Sequence, residues 1–233
     1  MTIKKGFQFH NRGPKSAEVM IYDDIGEGWF GGISSKQFAE EIKKLGNVTD
    51  INVRINSQGG SVFDGVAIYN TLLNHPAKIT VDIDSAALSI ASVIAMAGDE
   101  IRMASNALFM IHEPHGVFSG NATELRKNAD LLDMVGSQII DTYSKNRSIE
   151  VDTLAAWLEA ETWFTASEAL AAGFVDKITG EMSIAAHVDK TRFKNAPADL
   201  QNDRKVIKIP DNAKRERARA ALTRMKSALI ARD

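Results

Sequence analysis

The chain of 233 residues contains no cysteine. That excludes disulfide frameworks, thiolate zinc sites, iron–sulfur clusters and cysteine nucleophiles. Aromatic residues are scarce, at 7%, and there are five prolines. Long apolar runs are missing as well. The longest central stretch without charge, residues 85–98, is too short and too rich in small residues to span a bilayer. The opening Met1-Thr-Ile-Lys-Lys-Gly6 lacks the apolar segment of a signal peptide. These absences predict a soluble, cytoplasmic protein with no membrane partner. No large excess of one charge exists either: 28 Lys and Arg stand against 30 Asp and Glu. With 44% apolar and 25% charged residues the composition is ordinary for a globular protein, which rules out a wholly disordered chain.

The near-neutral total hides an asymmetry. Residues 190–233 carry 13 basic and 5 acidic residues, so the rest carries 15 basic and 25 acidic ones. An acidic body therefore precedes a basic tail. Composition shifts after Ile184, and a boundary is placed near Asp189, giving a body of residues 1–189 and an extension of 190–233. The extension turns Arg- and Ala-rich from Ala213 to Arg232, a helical pattern. It has one aromatic, Phe193, and no nucleic-acid-binding motif, so nucleic acid is not the expected partner.

Along the body, strands and helices alternate. Ser16–Tyr22 and Asp50–Asn56 read as strands, with Ile51, Val53 and Ile55 alternating with polar residues. A helix opens at Ile33-Ser-Ser-Lys36 and stops at Gly46, and a second covers Val62–Leu73. Ile79–Ile83 is a strand. Ala86–Ala97, small and apolar throughout, predicts a helix buried on all sides. Two strands follow near Glu100–Met103 and Ala107–His112. Asn121–Asn146 is a long amphipathic helix with Leu125, Leu132, Val135, Ile139 and Tyr143 in its stripe, and Val151–Glu159 is a short one. Thr165-Ala-Ser-Glu168 is a capping box whose helix ends at Gly173. This alternation predicts an α/β fold.

Three segments could carry chemistry. Asn56-Ser-Gln-Gly-Gly-Ser61 lies between a strand and a helix, where adjacent glycines either make a tight turn or bring backbone amides to an oxyanion. Ser89 stands where a strand runs into small residues, either as an N-cap or packing residue or as an exposed hydroxyl beside a helix start. His112 ends an apolar strand, as a structural histidine or as a base poised near neutral pH. His112 and His115 are three apart, but Pro114 between them does not set two imidazoles on one face, so no metal is expected. No cofactor is expected either.

Taken in order, Asn56-Ser-Gln-Gly-Gly60, Ala-Leu-Ser89, Met110-Ile-His112-Glu-Pro114 and Trp163-Phe-Thr-Ala-Ser-Glu-Ala-Leu-Ala-Ala-Gly173 resemble the ClpP family of serine peptidases over about residues 16–180. Ala91-Ser-Val-Ile-Ala-Met-Ala-Gly-Asp99 is most similar to the phage head-maturation (prohead) protease branch. The resemblance implies a ClpP/crotonase-like fold, with residues 121–146 as its handle helix, plus a basic extension. It implies Ser89 as nucleophile, His112 as general base and Glu161 as the orienting acid. The family has aspartate at that last position, so Asp152 stands as the alternative acid. It further implies Gly60 and Ile90 as oxyanion-hole amides, and Gly59 together with an exposed strand edge at Gly116, Val117 and Phe118 for an extended substrate. The implied partner is the chain itself, as a ring homo-oligomer in stacked rings. The implied substrates are peptides or capsid and scaffold proteins, with an ATPase unfoldase not required. The alternatives are a housekeeping-type Clp subunit working with an ATPase, a crotonase-like acyl-CoA hydratase or isomerase, and a catalytically silent ring or assembly protein.

Overall fold

A computed structural model describes residues 6–27, 32, 34–183 and 188–197. The elements in order are β1 (Gly6–Gly13), β2 (Ser16–Tyr22), α1 (Ser35–Lys44), β3 (Asp50–Ser57), α2 (Val62–Leu73), β4 (Lys78–Leu88), α3 (Ile90–Ala95), β5 (Glu100–Ala104), β6 (Leu108–Ile111), α4 (Ala122–Arg147), α5 (Val151–Glu159), β7 (Thr162–Thr165), α6 (Ala166–Ala172) and β8 (Lys177–Thr179). The α/β class expected from the sequence is the one observed.

Strands β2, β3, β4, β5 and β8 run parallel in the order β1-β2-β3-β4-β5-β8, with β1 antiparallel at the edge. Strand β4 has two successive partners on one side. Its first half, Thr80–Ile83, pairs with β5. Its second half, Ala86–Leu88, pairs with β6, which in turn pairs antiparallel with β7. The helix expected over Ala86–Ala97 is therefore shorter than its composition suggests. Ala86–Leu88 continue the strand, and only Ile90–Ala95 coil as α3. The pairing of Ala87 with Ser57 on one side and Phe109 on the other supplies ladder hydrogen bonds that outweigh the strong helix preference of Ala86, Ala87 and Leu88. Strands β1, β7 and β8 lacked a clear pattern in the sequence, the last two being only four and three residues long.

Buried side chains from the strands and from helices α1–α6 form the main core, and Ala86, Leu88, Met110 and Val188 form a second, smaller cluster. A ring cluster closes one side of the main core, where Phe174 meets Phe109, Tyr143, Trp157 and Phe164 with centroids 4.9–5.8 Å apart. Polar side chains tie neighbouring strands. Arg54 on β3 donates two hydrogen bonds to Asp84 on β4, at 2.8 and 2.7 Å, and Tyr22 on β2 donates to the same carboxylate. Arg102 on β5 grips Asp82 on β4 with two bonds of 2.7 Å. Such bidentate pairs set register as well as adding energy. Helix α4 lies on the core only through its second half, where Ile139 and Tyr143 are buried. In its first half Leu125, Leu131 and Met134 are exposed. No helix among the described residues is long and apolar enough to cross a membrane.

Helix α2 meets α3 at a glycine. A Cβ on Gly65 would lie 2.1 Å from Ile90 Cγ1. Gly65→Ala is expected to lower stability by about 1–3 kcal/mol through overpacking. Adding Ile90→Ala in the same chain should recover part of that loss. Urea unfolding of the single and double variants measures both, and additive losses would show that the two helices do not meet here.

Candidate active site

The carboxyl ends of parallel strands form a crevice where α/β proteins commonly bind ligands. Here β3 ends at Ser57, β4 at Leu88 and β6 at Ile111, so Gln58-Gly59-Gly60, Ser89 and His112 are the residues that leave the sheet. Strand β7 begins at Thr162, which pairs with Ile111, so Glu161 arrives beside His112.

Ser89 occupies φ 55°, ψ −130° in a strand-to-helix turn. Non-glycine residues rarely adopt that conformation, and it costs roughly 1–3 kcal/mol. The surroundings hold it there. The Ser89 amide donates to the Met110 carbonyl at 3.0 Å, and the Ser89 carbonyl accepts the Ser92 amide at 2.9 Å. The Ser92 hydroxyl donates to the same carbonyl and pairs with the fully buried Tyr143 hydroxyl at 2.7 Å. Burial raises the Tyr143 pKa, so this phenol stays neutral. The Ser89 side chain makes no cap bond to its own helix. Its Oγ lies 2.7 Å from His112 Nε2. Of the two readings open for Ser89, the helix cap is not observed: the hydroxyl is turned to the imidazole instead.

The His112 side chain is 11% exposed. Burial pushes its pKa down to about 4. His115, Lys194 and Arg192 push the same way, and Glu161 opposes them. The ring is therefore neutral at neutral pH. With its proton on Nδ1 it presents the Nε2 lone pair to Ser89.

Glu161 is buried and takes a left-handed backbone, φ 47°. Its Oε2 lies 4.0 Å from His112 Nδ1, beyond hydrogen-bond reach. The carboxylate accepts instead from the Lys194 amide at 2.9 Å, the Asn195 amide at 2.7 Å and the Trp163 indole at 3.3 Å. The structure thus brings Ser89 and His112 into contact and sets Glu161 about 1 Å short of joining them. The alternative acid, Asp152, is exposed in the first turn of α5.

Both turn glycines are required by their surroundings. Gly59, at φ 91°, would place a Cβ 2.8 Å from the Leu88 carbonyl oxygen and from Ser89 Cβ. Gly60, at φ 148°, would place one 2.2 Å from the Ile25 carbonyl oxygen. Ile25 clamps this turn, donating to the Gly59 carbonyl and accepting from the Ser61 amide, each at 2.8 Å. Close approach of Gly59 to Ile90 N brings the turn alongside the residue that follows Ser89.

The strand edge expected at Gly116, Val117 and Phe118 is not a strand within one chain. Residues 112–119 form an open loop, with Val117 fully and Phe118 partly exposed. A strand needs a ladder partner, and among the described residues this loop has none. His112 and His115 stack edge to face at 5.1 Å, and no group of three or more His, Asp or Glu among the described residues could hold a metal ion. Several contributors carried no sequence signal. The amides of Lys194 and Asn195 are main-chain groups, and the Met110 carbonyl is another. Trp163 was visible only as part of a motif.

Residues 13–182 match the Clp protease family. The chain belongs to that family. Among relatives of this Clp protease family member is the ATP-dependent Clp protease proteolytic subunit 1 of Leifsonia xyli subsp. xyli (strain CTCB07), 39% identical over 132 residues. That alignment covers 55% of this chain and 66% of the relative, so the chain spans just under two thirds of the relative's length.

Burial of His112 has a pH signature. The folded ring should titrate near 4 instead of the ordinary 6.5. An unfolded chain takes up that proton near 6.5, so folding stability should fall as pH drops from about 6.5 toward 4. Reactivity of Ser89 should persist through the same range and fade only near 4, where the ring loses its lone pair. A long-range 1H–15N titration of the imidazole reads the midpoint, and a value near 6.5 would mean a solvated ring.

Proposed function

We propose that this Clp protease family member is a serine endopeptidase whose relay is Ser89, His112 and Glu161. The observation that carries the reading is the 2.7 Å contact between Ser89 Oγ and His112 Nε2 at a strained strand-to-helix turn. A sharp turn of this kind exposes a serine hydroxyl at the top of a sheet. Ser89 Oγ attacks the scissile carbonyl while His112 Nε2 takes its proton. The new C–O bond and the negative oxygen form together. Glu161, once in reach of Nδ1, stabilises the imidazolium. The amides of Gly60 and Ile90 stabilise the oxyanion, and losing one such donor costs about 10²–10³-fold in rate. His112 then returns the proton to the leaving amine, and water repeats the sequence on the acyl-serine.

An extended peptide lies between Gly59 and the loop at Gly116, Val117 and Phe118, which gains a ladder partner when substrate binds. The exposed apolar half of α4 packs against another copy, as expected of a ring homo-oligomer in stacked rings. Sequence similarity in residues 91–99 favours capsid or scaffold proteins as substrates, without an unfoldase, in the host cytoplasm or an assembling prohead. A second reading, a proteolytic subunit that works with an ATPase, is favoured by the name of the Leifsonia xyli relative. An acyl-CoA hydratase or isomerase is disfavoured, because that chemistry needs carboxylates and no serine–histidine pair.

Ser89→Ala should abolish labelling by a fluorophosphonate and cut peptide hydrolysis on the order of 10⁶-fold. Hydrolysis that survives the substitution would falsify the relay. Cleavage of a capsid scaffold by the purified chain alone supports the first substrate reading, and dependence on an added ATPase supports the second.

A further inference from the structure

Residues 188–197 come back to the site after the sheet is complete. Three anchors fix this segment. Val188 is buried against Ala86, Leu88 and Met110, and Phe193 packs onto the same cluster, edge-on to Trp163 at 5.2 Å and facing His112 at 6.1 Å. The Asp189 amide donates to Gln58, the residue just before the glycine turn. Arg192 donates to both oxygens of Asp24 at 2.9 Å. Directly after these anchors the Lys194 and Asn195 amides bind the two oxygens of Glu161.

The consequence falls on one atom. Oε2 of Glu161 is the oxygen nearest His112 Nδ1, and it is the oxygen held by Lys194. Closing the gap means moving the carboxylate by about 1 Å away from two charge-assisted bonds. Glutamate has the extra methylene needed to make that swing. We propose that residues 188–197 form a restraining strap: while its amides hold Glu161, the acid stays outside the relay, and release of the strap lets the carboxylate close on Nδ1. This rests on the relay described under Proposed function.

Four charged or titratable groups face His112, and release moves three of them. Glu161 moves closer, and Lys194 and Arg192 on the strap move away. His115, on the loop after β6, stays. Uncovering the ring lowers its desolvation. All of these changes favour the protonated ring, so release raises the proton affinity of His112 and makes it a stronger base toward Ser89.

The test uses the full chain with Lys194→Pro and Asn195→Pro together, which deletes both amide donors and leaves Glu161 in place. A separate variant, Phe193→Ala, loosens the apolar anchor without touching a hydrogen bond. Two readouts are taken: the rate of fluorophosphonate labelling at Ser89, and the midpoint of the His112 15N titration. The strap requires faster labelling, by about 10-fold or more, and a midpoint raised by about one unit. Slower labelling, or an unmoved midpoint in folded variants, overturns it. If the double-proline chain does not fold, Phe193→Ala must give the same direction of change, and no change there overturns the proposal. A raised midpoint with no labelling of any variant would keep the strap's hold on Glu161 and sink the peptidase reading instead.

Discussion

The site depends on the register between β4, β6 and β7. Leu88 pairs with Met110, and Met110 pairs with Trp163. That alignment makes Ser89, His112 and Glu161 the residues just beyond, or just before, three adjacent strands. A slip of one residue would turn every side chain of a strand to the other face, sending the imidazole away from the hydroxyl. The bond from the Ser89 amide to the Met110 carbonyl locks the same register from within the turn. The branching of the sheet at β4 follows from it, since β4 must leave β5 to meet β6.

Strain and burial then tune what the register brings together. Among the described residues, Ser89 and Glu161 are two of the three non-glycine residues with positive φ. Each is tolerated because surrounding bonds over-determine it, through Met110, Ser92 and Tyr143 for Ser89 and through the Lys194 and Asn195 amides for Glu161. Burial keeps His112 neutral, which a proton acceptor requires. The same burial leaves it dependent on a nearby acid, because an imidazolium formed in a dry site needs a counter-charge. A glutamate about 1 Å out of reach joins the two themes: the site holds its parts in place with one contact still open.

Glycine at 59, 60 and 65 serves this arrangement by subtraction. Each lies where a Cβ would strike backbone or a branched side chain, and two of them border the residues around Ser89. These close approaches set the turn after β3 alongside Ser89 and Ile90, and α2 against α3.

Much of this was legible along the chain. A period-two apolar run marked β3, the stop at Gly46 marked α1, the capping box and Gly173 marked α6, and Ser89, His112 and Glu161 could be proposed from ordered motifs before any geometry. Those signals are local, or survive as spacing. Ala86–Leu88 misled because alanine and leucine favour helix, and only the neighbours at Ser57 and Phe109 hold them in the sheet. The first half of α4 has the apolar stripe of a packed helix, yet the single chain leaves it uncovered. The third acid could be named, but not the distance at which it stands. What the order of residues determined by itself was the class of fold and which side chains to propose as reactive groups, because periodicity, capping and side-chain chemistry are written residue by residue. Tertiary structure alone decided the register that joins them and the hold of Lys194 and Asn195 on Glu161, because main-chain amides are the same at every position and act only where folding places them.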